Sequence, residues 1–169
     1  IDALTARNIV SGTGDGRFAP SDTVKREEFV KMLMGVVNIA ATGTGVEFAD
    51  ADKNAWYWQY VSKAAASGIV LGVNDTEFGI GAEITREQMA AMVYRAVTAG
   101  GVYIVRTSGT AFADSDSISD YAKEAAAFMS ETGIMNGKSG GMFDPSSTAT
   151  RAEAAKVIYE LLTRTEASR

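Results

Sequence analysis

Arg26, Arg86 and Arg151 recur at spacings of 60 and 65 residues, in Val24-Lys25-Arg26-Glu27-Glu28, Thr85-Arg86-Glu87-Gln88 and Thr150-Arg151-Ala152-Glu153. Thr followed three residues later by Gln or Glu is a helix capping box, so Thr85/Gln88 and Thr150/Glu153 mark helix starts, each cap contributing about 1 kcal/mol. Capping does not explain the arginines. A cation in the first turn faces the positive end of the helix dipole, a placement disfavoured by roughly 0.3–1 kcal/mol. Three copies nevertheless place one there, and Lys25 adds another charge. Two chemistries account for that. Either each guanidinium folds back onto a carboxylate such as Asp50 or Asp114, or it joins the helix N–H groups in a preformed site for a ligand carboxylate.

The elements that must position these side chains come from a threefold internal repeat. Gly12, Gly72 and Gly137 share the register of the arginines, as do Phe18, Phe78 and Phe143. Pro20 and Pro145 each follow their Phe by two residues. Phe48-Ala49-Asp50 pairs with Phe112-Ala113-Asp114, and Trp56 with Tyr121. Each complete unit reads as helix, Gly-rich loop, helix, with first helices expected over 55–67 and 119–132. The second helices start near 25, 85 and 150, and each carries one apolar stripe that includes Leu33, Val93 or Ile158. The units are assigned to 1–40, 46–99 and 110–165, the first cut short because it lacks the Phe-x-Asp segment. One helix pair buries too little surface to be secure alone. The three stripes therefore meet in a common bundle or stack as an open row.

Within this frame most marked residues have a structural reading beside the functional one. Phe18, Phe78 and Phe143 are expected to anchor loops in the core, and Trp56 and Tyr121 to pack there as well. Trp58 has no aromatic counterpart and is the ring expected to meet a ligand. Gly12, Gly72 and Gly137 supply positive-φ turns or close backbone approach. Asp50, Asp52, Asp114 and Asp116 precede helices and suit caps, with sugar hydroxyls or the arginines as the other partners. Asp15 and Asp75 are too isolated for a calcium loop.

The chain has no Cys and no His, which removes His/Cys zinc sites, His-based triads, thiol catalysis and disulfides. No nucleophile–base pair recurs at a motif position, so neither enzyme activity nor a cofactor is expected. A net charge of −5 argues against general nucleic-acid binding. No apolar run approaches the roughly 20 residues of a membrane helix, so no membrane insertion is expected. The start at Ile1, without Met or signal peptide, suggests part of a longer protein.

Phe112-Ala113-Asp114, Tyr121, Gly133-Ile134-Met135-Asn136-Gly137, Phe143-Asp144-Pro145 and Thr150-Arg151-Ala152-Glu153 together resemble the S-layer homology module, in triplicate over nearly the whole chain. The resemblance implies a mainly α fold: three helix-loop-helix repeats in a pseudo-threefold spindle around a central three-helix bundle. It also implies non-covalent anchoring of an exported bacterial protein to cell-wall polysaccharide, commonly a secondary polymer carrying pyruvylated N-acetylmannosamine. The location implied is extracellular, at the cell wall or S-layer, within a larger surface protein. Carried over by position, Arg26, Arg86 and Arg151 meet the acidic sugar in grooves between units. Lys25, Asp50, Asp114, Gly12, Gly72, Gly137 and Trp58 complete the candidate ligand-binding set. Repeat 3 follows the pattern best, so Arg151 is expected to be the best preorganised, with at most two competent grooves. A protein–protein module for surface-lattice or complex assembly is the alternative.

Overall fold

The computed structural model describes residues 1–14, 16–37, 39, 40, 43 and 47–167. Six α-helices carry the architecture: α1 (Asp2–Thr5), α2 (Arg26–Val36), α3 (Trp58–Ala66), α4 (Arg86–Ala99), α5 (Lys123–Thr132) and α6 (Arg151–Ala167). Among the described residues no strand forms beyond isolated bridges. The first helix of repeat 3 opens as a 3-10 turn at Asp120–Ala122 before α5 begins. The second helices start where the capping boxes place them. Thr85 Oγ1 accepts from the Gln88 N–H at 3.3 Å and Thr150 Oγ1 from the Glu153 N–H at 3.2 Å. Repeat 1 has half a box: Glu28 accepts the Lys25 N–H at 2.9 Å.

The repeats close into a ring. The Val24 N–H donates to the Ala149 carbonyl (3.1 Å), the Ala149 N–H to Ile84 (2.9 Å) and the Ile84 N–H back to Val24 (3.1 Å). Val24, Ile84 and Ala149 are fully buried, so these backbone groups have no water and must satisfy one another. A second set of bonds surrounds the first. The N–H groups of Arg26, Arg86 and Arg151 donate to the carbonyls of Ala82, Ser147 and Asp22, each in the next repeat around the ring. An open row of units cannot make either cycle.

Helix packing follows the same rotation. α2 packs on α3, α4 on α5, and α6 on α1, so each second helix lies against the first helix of the following repeat. This differs from the pairing within one unit that the linear order suggests. Tyr94 of α4 and Phe128 of α5 illustrate the contact, with ring centroids 5.3 Å apart. α2 also contacts α4 and α6, and Leu33, Val93 and Ile158 are fully buried in one continuous core.

Candidate functional site

Each motif arginine reaches across to the next repeat. Arg26 Nε donates to the Phe78 carbonyl at 3.0 Å, Arg86 Nε to Phe143 at 2.8 Å, and Arg151 Nε to Phe18 at 2.9 Å. Each guanidinium also lies over the ring of the same Phe, at 4.9, 5.4 and 5.1 Å from the centroid. Phe78 and Phe143 are fully buried and Phe18 is half-buried, so the rings are loop anchors that double as cation–π floors.

The Phe-x-Asp carboxylates build the loops that present those carbonyls. Asp50 accepts the N–H groups of Phe78, Gly79 and Ile80, all at 2.8 Å. Asp114 accepts those of Phe143 at 2.7 Å and Asp144 at 2.8 Å. Desolvation pushes both carboxyls up, but the backbone donors outweigh it and hold them below the usual aspartate value. Among the described residues neither carboxylate forms an ion pair with an arginine, contrary to one of the two sequence readings. The other reading also needs correction. The first N–H of each second helix is bonded to a neighbouring repeat, the second N–H of α4 and α6 to Pro145 and Pro20, and the third to the capping Thr. At α4 and α6 no first-turn N–H is left for an anion, and the guanidinium is what remains there.

The glycines serve loop closure. The turns close through Thr13 N–H to Arg17 O (2.9 Å), Val73 N–H to Glu77 O (2.8 Å) and Lys138 N–H to Met142 O (2.7 Å). A Cβ on Gly72, at φ +83°, would lie 2.5 Å from the Asn74 oxygen; on Gly12 it would lie 2.9 Å from Arg17 O, and on Gly137 3.2 Å from Met142 O. Gly72 alone of the three needs its positive φ. Asp15 lies outside the described residues.

Two equivalent grooves open beside these loops. One, of about 320 Å³, is lined by Arg26, Leu71, Gly72, Val73, Gln88, Ala91, Met92, Arg95 and Tyr121. The other, of about 280 Å³, is lined by Ile9, Val10, Ser11, Gly12, Thr13, Glu28, Lys31, Met32, Trp56 and Arg151. Each takes its Arg from one repeat, its loop and helix face from the next, and its aromatic from the third. Trp56 and Tyr121 are both 52% exposed at the groove rims, which corrects their assignment to the core. Equivalence in the repeat says that the two rings do the same job, and only ring closure says on which side. Lys31 Nζ lies 5.8 Å from the Trp56 centroid. Tyr121 donates to Glu87 at 3.1 Å, and burial followed by Glu87 pushes its hydroxyl up to about 12. Lys31 and Arg95 are groove residues that the repeat pattern left unmarked, since Ala91 stands at the position of Lys31 in repeat 2 and Gly35 and Glu160 at that of Arg95; Gln88, marked only as a capping residue, lines the Arg26 groove as well. Trp58 lines neither groove; it is half-buried with Lys53 Nζ 5.7 Å from its centroid. Lys25 also stays outside, 3.8 Å from Glu83. A separate cleft of about 490 Å³ between residues 109–116 and α5 contains none of the motif arginines.

The arginines differ in their remaining partners. Arg86 also donates to the Asn136 carbonyl (3.3 Å) and to Glu153 (3.4 Å). Arg151 donates to the Ser11 carbonyl (2.8 Å) and lies 3.9 Å from Glu28. Arg26, 3% exposed, makes the Phe78 bond and no ion pair among the described residues, because Gln88 stands where Arg86 and Arg151 meet Glu153 and Glu28. Burial pushes its guanidinium below the usual arginine value, with Tyr121, Glu27 and Asp50 opposing the shift.

A closed ring of helical repeats with cationic grooves at its seams is a binding module, and sequence comparison gives its family. The family model described as "S-layer homology domain" matches residues 1–30, 47–90 and 111–155, and the chain belongs to that family. It is 38% identical over 96% of its length to an exoglucanase, XynX, of Acetivibrio thermocellus, covering 15% of that protein. It is 37% identical over 96% of its length to an amylopullulanase of Thermoanaerobacterium thermosulfurigenes, covering 9%. The S-layer protein sap of Bacillus anthracis is 28% identical over 94% of the chain, which covers 19% of it. The chain thus spans less than a fifth of these relatives, and the catalytic parts of the two glycosidases lie outside the matched region. It is a cell-surface anchoring module of the cell wall or S-layer. No helix of the described residues is long and apolar enough to cross a membrane.

Proposed function

We propose that the chain anchors its parent protein by binding an acidic cell-wall polysaccharide, of the pyruvylated N-acetylmannosamine type, in the grooves between repeats. The observation that carries this reading is a motif arginine at the floor of a groove with an exposed aromatic ring at the rim. A guanidinium suits a carboxylate, and an aromatic face suits a sugar ring. Grooves of about 320 and 280 Å³ are at the small end of ligand sites, the size for a terminal residue of a polymer. Arg26, Arg86 and Arg151 are the proposed contacts, with Gly12, Gly72 and Gly137 keeping the loop backbone close. Asp50 and Asp114 act by shaping the loops, and Lys25 and Trp58 contribute outside the two grooves. The overall charge of −5 does not oppose an acidic ligand. Net charge governs long-range steering, and the local arginines decide the contact.

The test is retention of the purified protein on cell-wall sacculi before and after removal of the secondary polymer. Loss of retention on removal supports the reading. Undiminished retention overturns it in favour of a protein partner. Calorimetry with pyruvylated and unmodified N-acetylmannosamine then isolates the acid. Affinity is expected to fall at least about tenfold without it, since a charge-assisted hydrogen bond contributes about 1.5–3 kcal/mol.

A further inference from the structure

Gln88, Glu28 and Glu153 occupy one position in the three repeats, and each faces the arginine of the preceding repeat. Glu153 lies 3.4 Å from Arg86, and Glu28 lies 3.9 Å from Arg151. Gln88 lines the Arg26 groove and carries no charge to offer. We propose that Gln88 is the specificity-determining residue of this chain: it makes the Arg26 groove the seat of the ligand's carboxylate, whereas the other two arginines are already held by carboxylates of the chain itself. The proposal rests on the glycan-binding reading and names which groove takes the acid.

Three further features agree with it. Arg26 uses Nε on the Phe78 carbonyl, and neither Nη atom has a protein acceptor among the described residues. Two parallel N–H groups of that kind fit a carboxylate in bidentate fashion. Arg95 lines the same groove, where repeats 1 and 3 have Gly35 and Glu160, so the groove holds a second cation as well. The nearby carboxylates are engaged elsewhere. Asp50 is on three loop amides, Glu27 accepts the Gly81 N–H at 3.0 Å, and Glu87 is on Ser119 and Tyr121. The Arg151 groove retains Lys31 beside Trp56, but a ligand acid there must compete with Glu28 for the guanidinium.

Reciprocal variants test this without removing an arginine. Q88E supplies the internal carboxylate and preserves the capping box, because Glu153 caps Thr150 in the same way. E28Q frees Arg151 and keeps an amide oxygen for the Lys25 N–H. Two probes are used, pyruvylated N-acetylmannosamine by calorimetry and glucuronate by NMR of the arginine side-chain N–H signals. Q88E is expected to weaken the pyruvylated sugar at least about tenfold and to abolish the glucuronate-induced shift of Arg26. E28Q is expected to add acid-dependent binding at Arg151, seen as a new side-chain shift and a raised stoichiometry. Unchanged affinity and unchanged Arg26 shifts in Q88E overturn the proposal, as does an acid-induced shift at Arg151 or Arg86 but not Arg26 in the unmodified protein. Glucuronate shifts at Arg26 that Q88E removes, with no binding of the pyruvylated sugar, uphold the charge assignment and refute the proposed glycan.

Discussion

Asp50 acts at one remove from the groove. Its oxygens hold the amides of Phe78, Gly79 and Ile80, and the Phe78 carbonyl then holds Arg26 Nε. Asp50→Asn keeps one acceptor oxygen and loses the charge, so it is expected to lower stability by about 1–3 kcal/mol and to loosen the Arg26 seat. The effect carries a pH signature. The folded-state carboxyl lies below the ordinary aspartate value of 3.8, so its stabilisation is fully present above that value and is lost as pH falls through the lower folded one. Urea unfolding is therefore expected to give a constant wild-type-minus-variant difference from neutral pH to about pH 5, shrinking only below the unfolded aspartate value. A difference that decays between neutrality and about pH 5 would contradict the assignment. Glycine substitutions are graded by the same local geometry. Gly72→Ala meets oxygen at 2.5 Å with φ +83°, Gly12→Ala at 2.9 Å and Gly137→Ala at 3.2 Å, so melting temperatures should fall most for Gly72 and least for Gly137. At this scale repetition made the arginines, glycines and capping boxes legible in the sequence. The Asp–amide–carbonyl–Arg relay was not, since its members are 28 or more residues apart and meet only through the fold.

Helix starts and their packing partners had different legibility. The second helices begin at Arg26, Arg86 and Arg151, where local capping chemistry decides. The first helices begin later than their apolar pattern suggests, at Trp58 and Lys123. In repeat 3 the cause is tertiary: Glu87 of α4 takes the Ser119 N–H at 3.0 Å and its hydroxyl at 3.0 Å, fixing a 3-10 entry that periodicity does not encode. The loop between the helices depends on its Phe anchor. Phe78→Ala and Phe143→Ala remove fully buried rings and are expected to cost about 3–5 kcal/mol each by denaturant titration. Phe18 is half-buried, so Phe18→Ala should cost less than either. Equal losses at all three would mean that loop anchoring does not scale with ring burial.

The whole molecule is held by bonds that run in a circle, and no repeat owns both partners of its own helix packing. Unfolding is therefore expected to be a single transition, with calorimetric and van't Hoff enthalpies equal. The segment 46–99 made alone should show neither stable helix nor ligand binding, because α4 packs on α5 and α3 on α2. Two resolved transitions, or a folded isolated repeat, would refute that cooperativity. Ligand is expected to raise the melting temperature of the entire chain, by about 2.7 kcal/mol of stability at a hundredfold excess over Kd.

A triangle of hydrogen bonds through Val24, Ile84 and Ala149 also restricts the arithmetic of inheritance. An open solenoid grows or shrinks by one unit at modest cost, because every interior unit meets the same two neighbours. Here a fourth copy has no donor or acceptor left to accept it, and loss of one leaves a buried N–H and a buried carbonyl unanswered. Copy number is thus frozen at three while the faces of the copies remain free to drift. Drift at positions such as 28, 88 and 153 is a route by which once-identical units come to present dissimilar seams.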